Sequence, residues 1–317
     1  MSHNGRRIAL TLVLALASQL LGCRQLGLGV KYFLTPCAGN GPERNADFDL
    51  KLPPLDLDAF YAELRGLQAN FEFEELGRIR YQGRDDPQYW IRRPAPEGAP
   101  RMLIVAGVHG DERAALLAIP RLLAELADES PTRERASSPS WDLSVLVPAN
   151  PVGAAHTSRY NGTGCDLNRD FGSFANPEAR AVRNVVERLD PDLVIAPHEG
   201  PQDGFFLIAT ADADPELARR AVAAVAAAGI PLARKSFLGL GLGSPGLSLE
   251  GPTIAAGKRA LGLGSLGTYM ESLGVGTFTT ESSWDSEDFE ARIDSHVIAI
   301  RAVLDSAPPG VSSGTGD

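Results

Sequence analysis

The stretch Met102-Leu103-Ile104-Val105-Ala106-Gly107-Val108, running directly into His109-Gly110-Asp111-Glu112, decides the fold. Apolar residues without alternation suit a strand buried on both faces, as in a parallel sheet covered by helices. Residues 111–127 then read as a helix. The same alternation continues: strand Leu143–Val147, helix Pro177–Leu189, strand Leu193–Ala196, strand Phe205–Ala209, helix Pro215–Ala228, strand Gly276–Thr280 and helix Phe289–Ser306. Strands alternating with helices indicate an α/β fold: a single domain with a central mixed, largely parallel twisted sheet flanked by helices. Before it, Leu57, Phe60, Leu64 and Leu67 fall on one face of a helix starting near Asp56, and residues 77–94 read as a hairpin turning at Gly83–Asp86.

Composition sets outer limits. The chain has 317 residues, 44% apolar and 22% charged, ordinary for a globular enzyme. Its net charge of -10 and pI near 5.1 argue against a nucleic-acid partner, which calls for a basic face. The glycine-rich segment 237–267 matches GxGxxG twice, at 241–246 and 262–267. Neither match sits at the first strand-to-helix turn, and Pro245 interrupts one, so both read as tightly turned loop rather than dinucleotide site.

The N-terminus differs in kind. Arg6 and Arg7 precede the apolar run Ile8–Leu20, too short to span a bilayer, and Leu20-Leu21-Gly22-Cys23 follows. This end resembles a bacterial lipoprotein signal. The resemblance implies cleavage before Cys23, a lipid on its thiol, and an exported protein anchored to the membrane of the cell envelope, on a periplasmic or outer face. A plain signal peptide is the alternative. The chain then divides into a signal (1–22), a tether (23–52), a catalytic domain (53–306) and a disordered Gly/Ser-rich tail (307–317). Cys37 and Cys165 remain; free thiols are the expectation, with a disulfide as the alternative in an oxidising space.

Four short pieces carry the candidate chemistry. His109 and Glu112 follow the decisive strand; in a helical turn, residues three apart face one way, and zinc accepts both ligand types. Alone, such a pair is equally a turn histidine with an acid at a helix N-terminus. Asn150, Arg159, Asn161 and Asp166-Leu167-Asn168-Arg169 crowd one loop, able to grip an anionic substrate end or simply to turn. Pro197-His198-Glu199 and Thr279-Thr280-Glu281 each follow a predicted strand. All four pieces thus fall at the carboxyl edge of the sheet, where open α/β folds bind ligands. His156 and His296 have no partner at metal spacing and read as surface residues.

HxxE, then Arg159 with Asp166-Leu-Asn-Arg169-Asp-Phe171, then a strand-end histidine and a strand-end glutamate resemble the zinc carboxypeptidases of the funnelin group, with their succinylglutamate desuccinylase and aspartoacylase relatives, over residues 78–300. Gly264-Ser-Leu-Gly267 with Tyr269 resembles the murein-peptide amidase branch. The resemblance implies one zinc ion held by His109, Glu112 and His198, with Glu281 as general base and Arg159 polarising the scissile carbonyl. It also implies that Asn168 and Arg169 hold a substrate carboxylate, with Tyr269 as a further substrate contact. The implied substrate is a peptide or acyl-amino acid bearing a carboxylate, possibilities that include cell-wall peptides. One departure stands out: Ile195-Ala196-Pro197 precedes His198, so no carboxylate there orients the imidazole, and Glu199 is either a substitute or solvated. The alternatives are an N-acyl-amino-acid deacylase and an inactive binding lipoprotein of the same fold.

Overall fold

The computed structural model describes residues 36–37, 41–42, 55–129 and 141–306. The expected signal (1–22), Cys23, most of the expected tether and the expected tail (307–317) lie outside the described residues. Among the described residues no helix is long and apolar enough to cross a membrane.

The first helix, α1 (Leu57–Gly66), starts where Asp56 accepts the Ala59 N–H, and buries Leu57, Phe60, Tyr61 and Leu64. A hairpin follows, β1 (Glu72–Tyr81) and β2 (Arg84–Arg93). It begins earlier than its alternation suggests. Its turn is the two residues Gln82 and Gly83, both with positive φ (46° and 86°), which matches the twist of paired strands. Then come β3 (Arg101–Val105), α2 (Arg113–Asp128) and β4 (Asp142–Val147). The loop after β4 is more structured than its polar residues suggest. Asn150 caps a short helix, α3 (Pro151–His156), and Asp166 caps a 3₁₀ turn at Leu167–Arg169.

The second half holds α4 (Pro177–Leu189), β5 (Leu193–Gly200), β6 (Phe206–Ala209), α5 (Pro215–Ala227) and β7 (Leu247–Leu249). It closes with α6 (Pro252–Ala260), α7 (Leu266–Ser272), β8 (Gly276–Ser283) and α8 (Phe289–Leu304). The glycine-rich segment therefore carries a strand and two helices. Its second GxGxxG runs into α7, and Gly264 lies where a Cβ would meet the Arg169 carbonyl at 2.4 Å.

The eight strands form one sheet in the order β1-β2-β4-β3-β5-β8-β6-β7. The β4-β3-β5-β8 centre is parallel; β1, β2 and β6 bring antiparallel pairing at the flanks. From β3 the chain goes to β4 on one side and later to β5 on the other, so the order reverses at β3. A crevice opens at such a switch point. The apolar core lies on both faces: Met102, Ile104, Ile195 and Phe278 pack toward α2, α5 and α8, whereas Leu103, Val105, Val194 and Ala196 pack toward α4 and α7.

Cys37 and Cys165 are joined by a disulfide, not free as expected. Beside it the Asp166 N–H donates to the Pro36 carbonyl. The sequence gives no hint of this closeness, because the bond spans a separation of 128 residues. A closed loop of that size restricts the unfolded chain, so Cys165→Ser should lower stability by about 2–5 kcal/mol. Thermal melts of the oxidised protein against the variant check this; equal melting temperatures would count against it.

Candidate metal centre

The approach to the site is set by backbone packing. After β3 the chain leaves the strand at Ala106, and His109 to Asp111 form a turn rather than the expected first helical turn. Glu112 sits just before α2, at its N-cap position. The Gly110 N–H donates to the Ser158 carbonyl (2.9 Å). Position 110 must be glycine, because a Cβ would lie 1.8 Å from the Gly153 carbonyl carbon. This contact locks the turn bearing His109 and Glu112 against the loop that carries Arg159.

β5 and β8 run three residues or more beyond their sequence-derived ends. His198 and Glu281 therefore lie inside the strands, opposite each other in register. His109, Glu112 and His198 place one ligand atom each within 4.8 Å of one another, and all three are buried. The His109 Nδ1 lies 2.6 Å from Glu112 Oε1, and the His198 Nδ1 lies 2.6 Å from Glu112 Oε2.

A residue missed in the sequence explains the orientation. Asp166, 1% exposed, takes His109 Nε2 at 3.1 Å on Oδ1 and the Arg159 Nε–H at 2.9 Å on Oδ2. With its proton on Nε2, shared with Asp166, His109 would present its Nδ1 lone pair to a cation beside Glu112, the carboxylate-backed arrangement typical of a metal-binding histidine. Burial works to raise the Asp166 carboxyl, but Arg159, His109 and Arg169 outweigh it and hold it well below the usual carboxylate range. Glu199 does not serve His198 in this way, nor is it solvated. It is buried and paired with Arg292.

The donors test whether a cation fits. Burial, with Arg159 next, pushes the His198 imidazole down to about 3, so it stays neutral at ordinary pH. Burial pushes Glu112 up to about 7 against the pull of His109. Neutral imidazole nitrogens and carboxylate oxygens facing each other out of water are mutually repulsive without a proton or a cation among them. Two histidines and one glutamate with a fourth position open are the donor set of a one-zinc catalytic site, and these residues fit it.

Around the triad stand the other candidates. Glu281 is 8% exposed, and its Oε2 has no hydrogen-bond partner among the described residues. Burial, then the nearby Glu112, holds its carboxyl well above the usual range. A Cβ at Gly200 would lie 3.1 Å from that oxygen, so the glycine keeps its space open. Asn168 is tied down: its Oδ1 accepts the Leu266 N–H at the start of α7. Arg169 donates from Nη1 to the Asn168 carbonyl, while its buried Nε has no partner among the described residues. Tyr269 packs edge-on to Phe174 at 4.9 Å, and its charged neighbours are Glu187 and Arg183 of α4 rather than the triad. Among the described residues, neither of the other two histidines is a free surface residue. His296 is 0% exposed between Thr280 and Ser282, and His156 lies partly buried edge-on to Tyr81.

Residues 98–281 match the family described as the succinylglutamate desuccinylase/aspartoacylase catalytic domain. The chain belongs to this family. Among curated relatives of this desuccinylase/aspartoacylase member, carboxypeptidase 2 of Trichophyton tonsurans is 25% identical over 265 residues, covering 76% of this chain and 48% of that one. The chain thus spans about half the length, or less, of the curated relatives it matches. A structure from Shewanella amazonensis SB2B, described as a candidate metallopeptidase, has TM-score 0.64 at 20% identity, covering 84% of this chain and 98% of that one. A Pseudomonas aeruginosa metallo-carboxypeptidase, in complex with (2-guanidinoethylmercapto)succinic acid, has TM-score 0.55 at 21% identity, covering 79% and 69%. These structures share the fold of the desuccinylase/aspartoacylase domain.

Asp166→Asn should weaken zinc binding roughly tenfold to a hundredfold while the fold persists. Competition titration with a chelating dye measures this. Unchanged affinity would remove Asp166 from its orienting role.

Proposed function

We propose that this protein is a zinc-dependent metallocarboxypeptidase or amidase that hydrolyses a peptide or amide bond near a free carboxylate. The observation that carries the reading is Glu281: a buried carboxylate with an unpartnered oxygen, set across one strand register from His198 of the triad. When bound, zinc supplies Lewis acidity, enough to bring a water's pKa to about 7. Glu281, at its unpartnered Oε2, would take a proton from the attacking water and return it to the leaving amine, work for which a raised pKa suits it. Arg159, held by Asp166 beside the triad, would stabilise the charge that develops on the scissile carbonyl.

Substrate orientation falls to Arg169 and Asn168. Burial disfavours the Arg169 cation, although Asp166 works the other way, and its unpartnered Nε is suited to a substrate carboxylate. The succinic acid derivative held by the Pseudomonas aeruginosa relative supports a carboxylate-bearing substrate. The Cys37–Cys165 bond supports an exported protein, since disulfides persist in oxidising spaces. With lipid at Cys23, the enzyme would act in the cell envelope, where cell-wall peptides are the natural substrates. The family match favours a second reading, deacylation of an N-acyl-amino acid.

Zinc content measured alongside turnover on C-terminal peptides, γ-glutamyl peptides and N-acyl-amino acids separates these readings. A zinc-free purified protein, inert on the whole panel even after zinc is added, would overturn both. Glu281→Gln should keep zinc and lose on the order of 10²–10⁴-fold in kcat. Full activity in that variant would exclude Glu281 as the base.

A further inference from the structure

Side chains alternate across a strand, so His198 and Glu281 project from one sheet face while Glu199, Thr280 and Ser282 project from the other. The core confirms the parity: Val194 and Ala196 pack with the α4–α7 side, Ile195 and Phe278 with the α2–α5–α8 side. On this second face, directly behind the metal centre, lies a fully buried polar network that the proposed chemistry does not use.

Glu199 is its hub. Its Oε1 accepts from Arg292 Nε at 2.9 Å, from Arg292 Nη2 at 2.7 Å and from Ser282 Oγ at 3.1 Å. Its Oε2 accepts the Ala114 N–H at 3.2 Å. Two of these partners, and Glu199 itself, lie within two residues of a site residue. Ala114 is two residues beyond Glu112, Ser282 is next to Glu281, and Glu199 itself is next to His198. The chain of donors continues with one direction. Ser282 donates to the carboxylate, which can only accept, so His296 Nε2 donates to Ser282 Oγ at 3.1 Å and Thr280 Oγ1 donates to His296 Nδ1 at 2.9 Å. The residues on both sides of Glu281 are thereby held to α8.

We propose that Glu199, gripped by Arg292, is a positioning residue that fixes His198, Glu112 and Glu281 relative to one another from the opposite face of the sheet. The proposal rests on the metal-centre reading. It accounts for the departure before His198: with no carboxylate there to orient the imidazole, the backbone carrying it is held instead by the next side chain. A buried ion pair is a poor source of net stability compared with apolar packing, which fits a geometric role for this one better than a stabilising role.

The test uses the full chain with zinc and, separately, with cobalt as a spectroscopic substitute. Glu199→Gln and Arg292→Met, checked for fold by circular dichroism, should each lower zinc affinity roughly tenfold to a hundredfold and alter the visible cobalt spectrum. Combined, they should lose less than the product of the two single losses, since both cut one link. Arg292→Lys keeps a buried charge and is the variant to read where a neutralising one does not fold. It loses the two-pronged grip and should weaken zinc binding severalfold. Folded variants with wild-type zinc affinity and an unchanged cobalt spectrum overturn the positioning role. A wild-type protein that binds neither metal overturns the metal-centre reading itself, a distinguishable failure.

Discussion

Everything at the site depends on keeping Glu112 charged where water is excluded. Its two oxygens face two imidazole nitrogens at 2.6 Å each, and burial, with the Asp111 charge behind it, works against ionisation. Asp166 and Glu281 add further buried carboxylates, against the Arg159 and Arg169 guanidiniums. A divalent ion among these donors would add the charge that Arg159, 3.8 Å from Glu112, supplies only in part. The rest of the fold can be read as what is needed to bring the groups together and prevent them from moving apart: a parallel centre with a switch point at β3, a glycine that lets two loops touch, and helices sealing both faces.

The architecture was legible where burial is simple. The unbroken apolar run of β3 and the period of α4 are signals of local origin, and the structure places both elements close to where the pattern puts them. Strand ends were less legible. β5 and β8 extend through His198, Glu199, Ser282 and Ser283, polar residues that usually mark an exit from a sheet. They stay in the strands because each finds a partner or a role at the buried edge.

The metal ligands were readable as pieces, since each lies at or near a strand end, yet their supports were not. Asp166, in the Asp-Leu-Asn-Arg stretch, reads from sequence as a turn residue, which it also is: its Oδ1 accepts the Asn168 N–H. Only the folded loop shows that the same side chain reaches His109. Glu199 and Arg292 are 93 residues apart, beyond any local pattern. A signal did exist, in that Arg292, His296 and Ser295 interrupt the buried face of α8 among Ile293, Val297 and Ile300. Polar groups on such a face need partners, and here the partners border the metal centre.

The alternation of β5 and β8 carries a further consequence for how this protein can change. The two faces of these strands do different work, ligation on one and bracing on the other, with adjacent residues assigned to opposite tasks. Substitutions alter one task at a time. A single-residue insertion or deletion within either strand would exchange them, sending a brace into the crevice and a ligand into the helix layer. The length of these two strands is thus constrained more tightly than their composition, and divergence that preserves the centre has to enter through the loops that flank them.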